Sequence, residues 1–468
     1  MLTKVETTKE NVMLRDVNVL NVVDGKLTGP TNVLASGGLI REIGIRSEPP
    51  GGCDDIDAGG LTMIPGLINC HAHILSPFLS EQPPIMGPWV LRQMRRNLTS
   101  ALAGGEVCVR DMLSPLKIMN SVRKKVNSGK LVGPEILAAG AVLSCKNGYP
   151  EFINPVPFPL SAMIGQPKLH LHTPEKAEAM VRYLKSCGAD VAKVGYTSYQ
   201  RSYTDQLRMP TIPDDALAAV CKTAHELGLK VSVHHNWAED FDKLLDFDID
   251  SLEHLVYDRV LTDDEVDKAR KRCITFVPTL TVNDSMARFE EKLEFLKSDR
   301  AKEMFEPPAI EHLTFISSTW LDFKNESYDK AFGFWRANRK QYAGVEENCR
   351  KLYRAGLNMC AGTDLGAVVA FPGELVDELF RLRHIGMSSL EAIQSATIKA
   401  AEFVGRGAQL GTVEPGKRSD VVLLDGDPMS DFSCLRKIRM VGKNGSWFTT
   451  NHPETPSFWG RHSVTFQG

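Results

Sequence analysis

Two kinds of hydrophobic pattern alternate through the middle of this chain. Short apolar runs recur at Met63–Asn69, Val107–Arg110, Glu135–Ala141, Asp190–Val194, Lys230–Val233, Asp250–Glu253, Thr275–Thr279 and Leu357–Ala361. Between them lie amphipathic stretches with helical spacing, among them Thr173–Ser186, Pro213–Leu227 and Asp263–Arg272. Apolar runs alternating with helices predict βα units and a parallel sheet. Eight such units predict the α/β fold class and, within it, a closed (β/α)8 TIM barrel. A long charged stretch at about 284–342 separates the seventh run from the eighth; it predicts a helical insertion serving as a flap or an oligomer contact.

The two ends of the chain have a different rhythm. Val17–Val23 is β-branched and apolar and is followed by Asp24-Gly25, a turn signal, and Leu39–Ile45 predicts a second strand. The C-terminal part returns to this style, with a strand at Asp420–Leu424, a turn at Asp425-Gly426-Asp427-Pro428 and a strand at Ile438–Val441. Two β-rich ends around a long middle predict a small β-sandwich made of 1–62 plus 408–468, beside a barrel at 63–407.

In a barrel of this kind the chemistry gathers where the strands end. The first run ends in His71-Ala72-His73, and residues i and i+2 of a strand point the same way, so this pair aims two imidazoles at one point. The fifth run ends in His234, the sixth in His254 and the eighth in Thr363-Asp364, while the fourth carries Lys193 within an apolar run. A lone histidine at a strand end is usually structural; the coincidence of all these at strand ends points to a metal site. His170-Leu171-His172 is a decoy, because Thr173-Pro174-Glu175 behind it reads as a helix N-cap, a first-turn proline and an acidic first turn.

Composition adds exclusions. Among 468 residues, 55 Lys and Arg stand against 58 Asp and Glu, a net charge of −3, with no basic stripe, so no nucleic-acid partner is expected. Ten scattered cysteines without a C-x-x-C pair suit a reducing compartment. No signal-peptide pattern and no long apolar run occurs, so a cytoplasmic protein without a membrane span is expected, acting on a small molecule and forming a homo-oligomer.

Pro65-Gly66-Leu67-Ile68-Asn69-Cys70-His71-Ala72-His73 resembles the opening motif of the amidohydrolase superfamily. Ser251-Leu252-Glu253-His254 and Ala361-Gly362-Thr363-Asp364 resemble its strand-six and strand-eight motifs, and Leu410 to Asp420 resembles the segment leading back to the sandwich. Gly133-Pro134, Gly188-Ala189-Asp190 and Thr397 to Gly405 are similar to the group containing prolidases, ochratoxin amidase, and phenylurea and molinate hydrolases.

This resemblance implies a hydrolase of an amide, urea, carbamate or thiocarbamate bond in a small apolar substrate, using a hydroxide bridging two divalent metals. It implies one metal on His71, His73 and Asp364, a second on His234 and His254, and Lys193 carboxylated by carbon dioxide between them. Asp364 would move the proton. Zinc is the first choice of metal, with manganese or cobalt as alternatives. Tyr196, Asn236 and Trp237, beyond strands four and five, are the candidate substrate contacts. The chain departs from the family pattern in three places. Asn69 replaces the usual Asp before the first metal histidine, Asn236 stands where many relatives have a second histidine, and Asn147-Gly148 occupies the place of a Gly-His-Gly. Trp237 replaces the glutamate of deaminase-like members, which disfavours deamination. Two other readings stay open: a mononuclear hydrolase of a cyclic amide, resembling imidazolonepropionase, and a non-catalytic scaffold.

Overall fold

The computed structural model describes residues 2–8, 10–44, 52–75, 89–150, 170–198, 208–287, 289–321, 341–367, 369–452 and 454–458. Seven parallel strands form its centre: β1 (Leu67–Ala72), β2 (Glu106–Asp111), β3 (Glu135–Ala138), β4 (Val191–Gly195), β5 (Lys230–His234), β6 (Ser251–Glu253) and β7 (Thr275–Val277). β1, β2 and β3 make one parallel ladder, and β4 to β7 make another. Almost every position in these strands is buried, because helices cover one face and side chains fill the other.

Further backbone bonds join the ladders. Asp190 N donates to Ala138 O at 2.9 Å and Leu143 N to Lys193 O at 2.8 Å, linking the β3 side to β4. The stretch at 357–361, expected as an eighth strand, is not a regular strand, yet it bonds on both sides. Phe276 N donates to Asn358 O and Cys360 N to Phe276 O, both at 2.9 Å, while Cys70 N donates to Ala361 O at 2.9 Å.

The first run needs a correction. Met63–Asn69 is not one strand: Thr62–Pro65 pairs antiparallel with Val421–Leu424, and the parallel ladder begins at Leu67. Pro65 supplies no N–H, and Gly66 turns the chain where space is shortest; a Cβ there would overlap Val107 and lie 2.8 Å from Asp420 O.

Both chain ends enter one nine-stranded sheet. Its order runs Leu2–Lys4, Ser446–Thr450, Ile438–Lys443, Val421–Leu424, Thr62–Pro65, Asn11–Leu20, Leu27–Ser36, Leu39–Gly44, with Cys53–Asp57 pairing alongside Asn11–Leu20. Val12, Leu14, Val17, Leu423 and Trp447 share its core. The expected contribution from both ends is present, but hydrogen bonding links all nine strands into a single sheet rather than two separate ones. The end of the expected strand Leu39–Ile45 lies outside the described residues.

The insertion is helical where it is described, with Leu280–Ala287, Phe289–Phe295, Asp299–Met304 and Pro307–Leu321; 322–340 lie outside the described residues. Leu280–Ala287 is buried throughout. With Leu296, Met304 and Phe305, its Val282 and Met286 pack against Ala367, Val369 and Phe371, the loop that follows Asp364. A buried Lys292–Glu374 ion pair fastens the two segments.

Candidate metal centre

β1 delivers His71 and His73, and the chain leaving Ala361 delivers Asp364. His73 Nε2 lies 2.9 Å and His71 Nε2 3.3 Å from Asp364 Oδ1. One ligand atom from each of these residues falls within 4.8 Å of the others. Asp364 N donates to His71 O at 2.9 Å, so the backbone holds the group as firmly as the side chains do. Asp364 takes φ of 59° and His254 φ of 70°, left-handed conformations that non-glycine residues adopt at a cost and that recur at functional sites.

β5 and β6 bring the other two histidines. The His234 and His254 ring centroids are 4.6 Å apart, and His254 lies 4.8 Å from His71. His254 Nδ1 pairs with Thr279 Oγ1 at 2.7 Å. The Asn236 amide nitrogen stands 2.9 Å from His234 Nε2.

Burial sets the charges. It drives the His71 imidazolium down to about 4 and those of His234 and His254 well below the ordinary range, so all three rings are neutral at physiological pH. A neutral imidazole is the metal-binding form. Burial works to raise Asp364, but His71, His73 and His254 hold its carboxyl well below the usual range.

Lys193 points into the same region from β4. Its side chain is buried, and its Nζ has no hydrogen-bond partner among the described residues. Burial lowers it to about 8, against the opposing pull of Glu253. A buried ammonium without a partner is costly, and about one amine in ten is then neutral at pH 7. His73 Nδ1 and Asp364 Oδ1 also lack a conventional hydrogen-bond partner among the described residues. A nitrogen-rich pocket with one carboxylate and orphaned buried donors fits divalent metal.

Two residues of the site are absent from the ligand set read from the sequence. The buried Glu253 carboxylate takes His71 Nδ1 at 2.7 Å, Arg110 at 2.7 Å and Ser251 Oγ at 2.8 Å. It thereby fixes the His71 proton on Nδ1 and turns Nε2 toward Asp364, the carboxylate–histidine arrangement that orients metal ligands. Burial favours its neutral form, but Arg110, Lys193 and His71 keep it ionised. Arg110 itself donates to Cys70 O at 2.6 Å and Ser232 Oγ at 2.9 Å. The signal was in the strands: Arg110, like Lys193, is a charge inside an apolar run, and Glu253 lies beside His254.

Residues 62–448 match the sequence profile of the amidohydrolase family. The chain belongs to the amidohydrolase family. It is a hydrolytic enzyme acting on C–N bonds. It is similar to an ochratoxinase from Aspergillus niger, 24% identical over 415 residues that cover 82% of this chain and 75% of the relative. A solved structure of a Xaa-Pro dipeptidase with methionine in its active site superposes with a TM-score of 0.73 at 23% identity, covering 94% of this chain and 100% of the other. A molinate hydrolase structure superposes with a TM-score of 0.70 at 18% identity, covering 93% and 94%.

Asn69 is buried and acts through the backbone: its carboxamide oxygen accepts from His71 N and Thr363 N, each at 3.2 Å. Its nitrogen donates to Glu106 at 3.0 Å and Thr363 Oγ1 at 2.8 Å, and burial pushes the Glu106 carboxyl up to about 8. Of the three substrate candidates, Asn236 touches one of the histidines, His234. Tyr196 is buried with its hydroxyl toward Thr211 and Lys243, and Trp237 stands at the start of the helix Ala238–Leu244. His170 and His172 precede a helix capped by Thr173, as the sequence implied. No helix among the described residues is long and apolar enough to cross a membrane.

Proposed function

We propose that this amidohydrolase cleaves an amide, urea, carbamate or thiocarbamate bond of a small, apolar substrate at a two-metal site. The observation that carries the reading is the convergence of His71, His73 and Asp364 beside a buried Lys193 whose amine has no partner among the described residues. His71, His73 and Asp364 would hold one ion; His234 and His254 would hold the second. Lys193, once neutral, adds carbon dioxide, and its carbamate oxygens would serve both. Bound cations supply Lewis acidity toward the scissile carbonyl and the attacking water. Asp364 takes the proton that the water loses and passes it to the leaving nitrogen or sulfur. Glu253 and Arg110 keep the His71 ring oriented throughout.

The same reading includes the rest of the architecture. The seven strands and 357–361 form an eight-stranded closed barrel that begins at Leu67 and ends near 407, and the terminal sheet, which takes in Thr62–Pro65, folds over as the sandwich of both chain ends. Zinc is the first candidate metal, with manganese or cobalt acceptable to the same donors. We place the enzyme in the cytoplasm as a homo-oligomer acting on a small molecule, with no nucleic-acid or membrane partner.

One observation favours a second reading. The Asn236 amide engages His234 Nε2, so one nitrogen of the second ion's set is already used. A mononuclear hydrolase opening a cyclic amide would need only His71, His73 and Asp364. Metal content per chain decides: protein purified without added metal or chelator is expected to carry close to two ions, and a value near one would move the cyclic-amide reading forward. Hydrolysis of a panel of N-acyl amino acids, aryl ureas and thiocarbamates then defines the bond.

A further inference from the structure

The chain leaving β3 brings one more residue to the histidines. Leu143 N donates to Lys193 O at 2.8 Å and Gly195 N to Leu143 O at 2.9 Å, so this chain runs beside β4 toward the site. Several contacts then fix its path. Gly148 N donates to Cys145 O at 3.1 Å, Ser144 Oγ to Tyr149 O at 2.5 Å and Cys145 Sγ to Pro210 O at 3.2 Å. Two glycines clear the way. A Cβ at Gly195 would overlap the Tyr149 carbonyl oxygen, and one at Gly148 would stand 2.7 Å from Cys145 Sγ and 2.9 Å from Pro210 O.

The outcome is a stack. The Tyr149 ring lies face to face on His234, with centroids 3.8 Å apart and planes at 11°. His254 meets His234 edge-on at 4.6 Å and 71°, so the His234 ring is held between two others. Tyr149 keeps partial exposure, so its stack on His234 is not sealed inside the core. Burial raises its phenol first, and the Asp364 carboxylate and Tyr257 add to the rise, so the hydroxyl stays protonated as a donor.

We infer that Tyr149 is a further working residue of this site: its ring holds the His234 imidazole in plane, and its hydroxyl donates a hydrogen bond to the substrate carbonyl oxygen as charge develops there. The hydroxyl role rests on the hydrolase reading above, whereas the ring role rests on the stack. A ligand imidazole free to turn about its side-chain bonds loses affinity for its ion; a flat neighbour removes that freedom. A phenol is a neutral O–H donor of the kind that stabilises a developing oxyanion.

Two substitutions separate the roles. Tyr149→Phe keeps the ring and removes the hydroxyl; Tyr149→Leu removes the ring, with Tyr149→Met in its place if the leucine chain does not fold. Each variant is stripped with chelator and titrated with cobalt(II), followed by its visible absorption, and each is assayed on the substrate panel. Tyr149→Phe is expected to bind cobalt like the wild type and to lose about 100-fold in kcat with KM little changed. Tyr149→Leu is expected to weaken the second cobalt by about tenfold or more. A phenylalanine variant with wild-type kcat overturns the hydroxyl role, and a leucine or methionine variant with wild-type cobalt affinity overturns the clamp. Should the wild type bind cobalt and hydrolyse nothing in the panel, the reaction assigned above fails together with the hydroxyl role, and the titration alone decides the clamp.

Discussion

The two halves of the proposed metal centre are built differently. Around β1, two imidazoles share an internal anion: His71 and His73 both face Asp364, and Glu253 supports His71 from behind. Around β4 to β6, Lys193, His234 and His254 offer nitrogen alone. The first half is therefore electrically balanced toward a dication before any ion arrives. Among the described residues the second half has no carboxylate of its own on the ligand side, and its lysine would repel a cation while protonated. Such a half-site becomes a good cation site only after its lysine turns into an anion, which is what carbamate formation does. On this asymmetry the second ion and the carbon dioxide adduct should be acquired together, after the first ion.

The largest effect should come from the shared anion. Asp364→Asn keeps the shape and removes the negative charge and the proton acceptor. It is expected to retain bound metal in part while kcat falls about 1,000-fold, within the range for loss of a general acid–base group. Metal content and steady-state kinetics measured on one preparation would show this. Turnover at the wild-type level would sink the proton role and leave Asp364 as a ligand only.

Lys193→Ala tests the other half. Metal content is expected to drop from near two toward one, with turnover reduced about 100-fold and partly rescued by short-chain carboxylates such as acetate or propionate, which can bridge two cations. In the wild type, only the neutral amine adds carbon dioxide. The folded lysine sits at about 8, below its ordinary value, so the neutral fraction rises as pH climbs through that point. Reconstitution of stripped protein with metal, at a dissolved carbon dioxide concentration held constant across the series, should therefore quicken from pH 6 to pH 8 and level off above it. A reconstitution rate that does not change over this window would mean that the lysine amine is not the reacting group.

How much of this was legible beforehand depends on whether the information was local. Lys193 in an apolar run, His71 and His73 two apart, and His234, His254 and Asp364 at the ends of apolar runs are patterns of one strand each, so these candidates could be picked out residue by residue, and the structure brings His71, His73 and Asp364 together. Arg110 and Glu253 were legible by the same rule, a charge at a buried strand position, but their pairing spans 143 residues and no single window holds it. Tyr149 had no local signal at all; only the Gly148 and Gly195 contacts bring it to His234. Tyr196 shows the reverse limit. It follows β4 by one residue, yet its hydroxyl is directed at Thr211 and Lys243 rather than at the histidines, because a step of one residue along an extended chain reverses the side chain. The split of Met63–Asn69 between two sheets was hidden for a similar reason: apolar pattern is continuous across Pro65-Gly66, and the break shows only in the distant pairing with Val421–Leu424 and the crowding against Val107.

Glu253→Gln lies between the two halves in expected size. Gln keeps an acceptor for His71 and loses the charge that Arg110 and Lys193 both face. The first ion should bind about 10- to 100-fold more weakly, the usual cost of losing a carboxylate behind a ligating histidine. Calorimetric titration of stripped protein measures this directly. Because the same carboxylate opposes the lowering of Lys193, removing its charge should also ease loss of the lysine proton, so the second half would gain neutral amine while the first half loses affinity. Movement of both halves in the same direction would contradict this division of labour.

The smallest effect, and the finest test of the comparison, comes from Asn236. Its amide occupies His234 Nε2, so it competes with an ion for that nitrogen. Loss of one neutral hydrogen bond costs about 1 kcal/mol, which corresponds to roughly a fivefold change in an equilibrium constant. Asn236→Ala should therefore tighten the second ion about fivefold and leave the first unchanged, because His71, His73 and Asp364 have no bond to the amide. If the amide instead turns its oxygen to the substrate once the ion is bound, the same variant would also raise KM. A variant that weakens the second ion would mean that Asn236 helps to hold it, and the second half-site would then be less dependent on Lys193 than its nitrogen-only makeup implies.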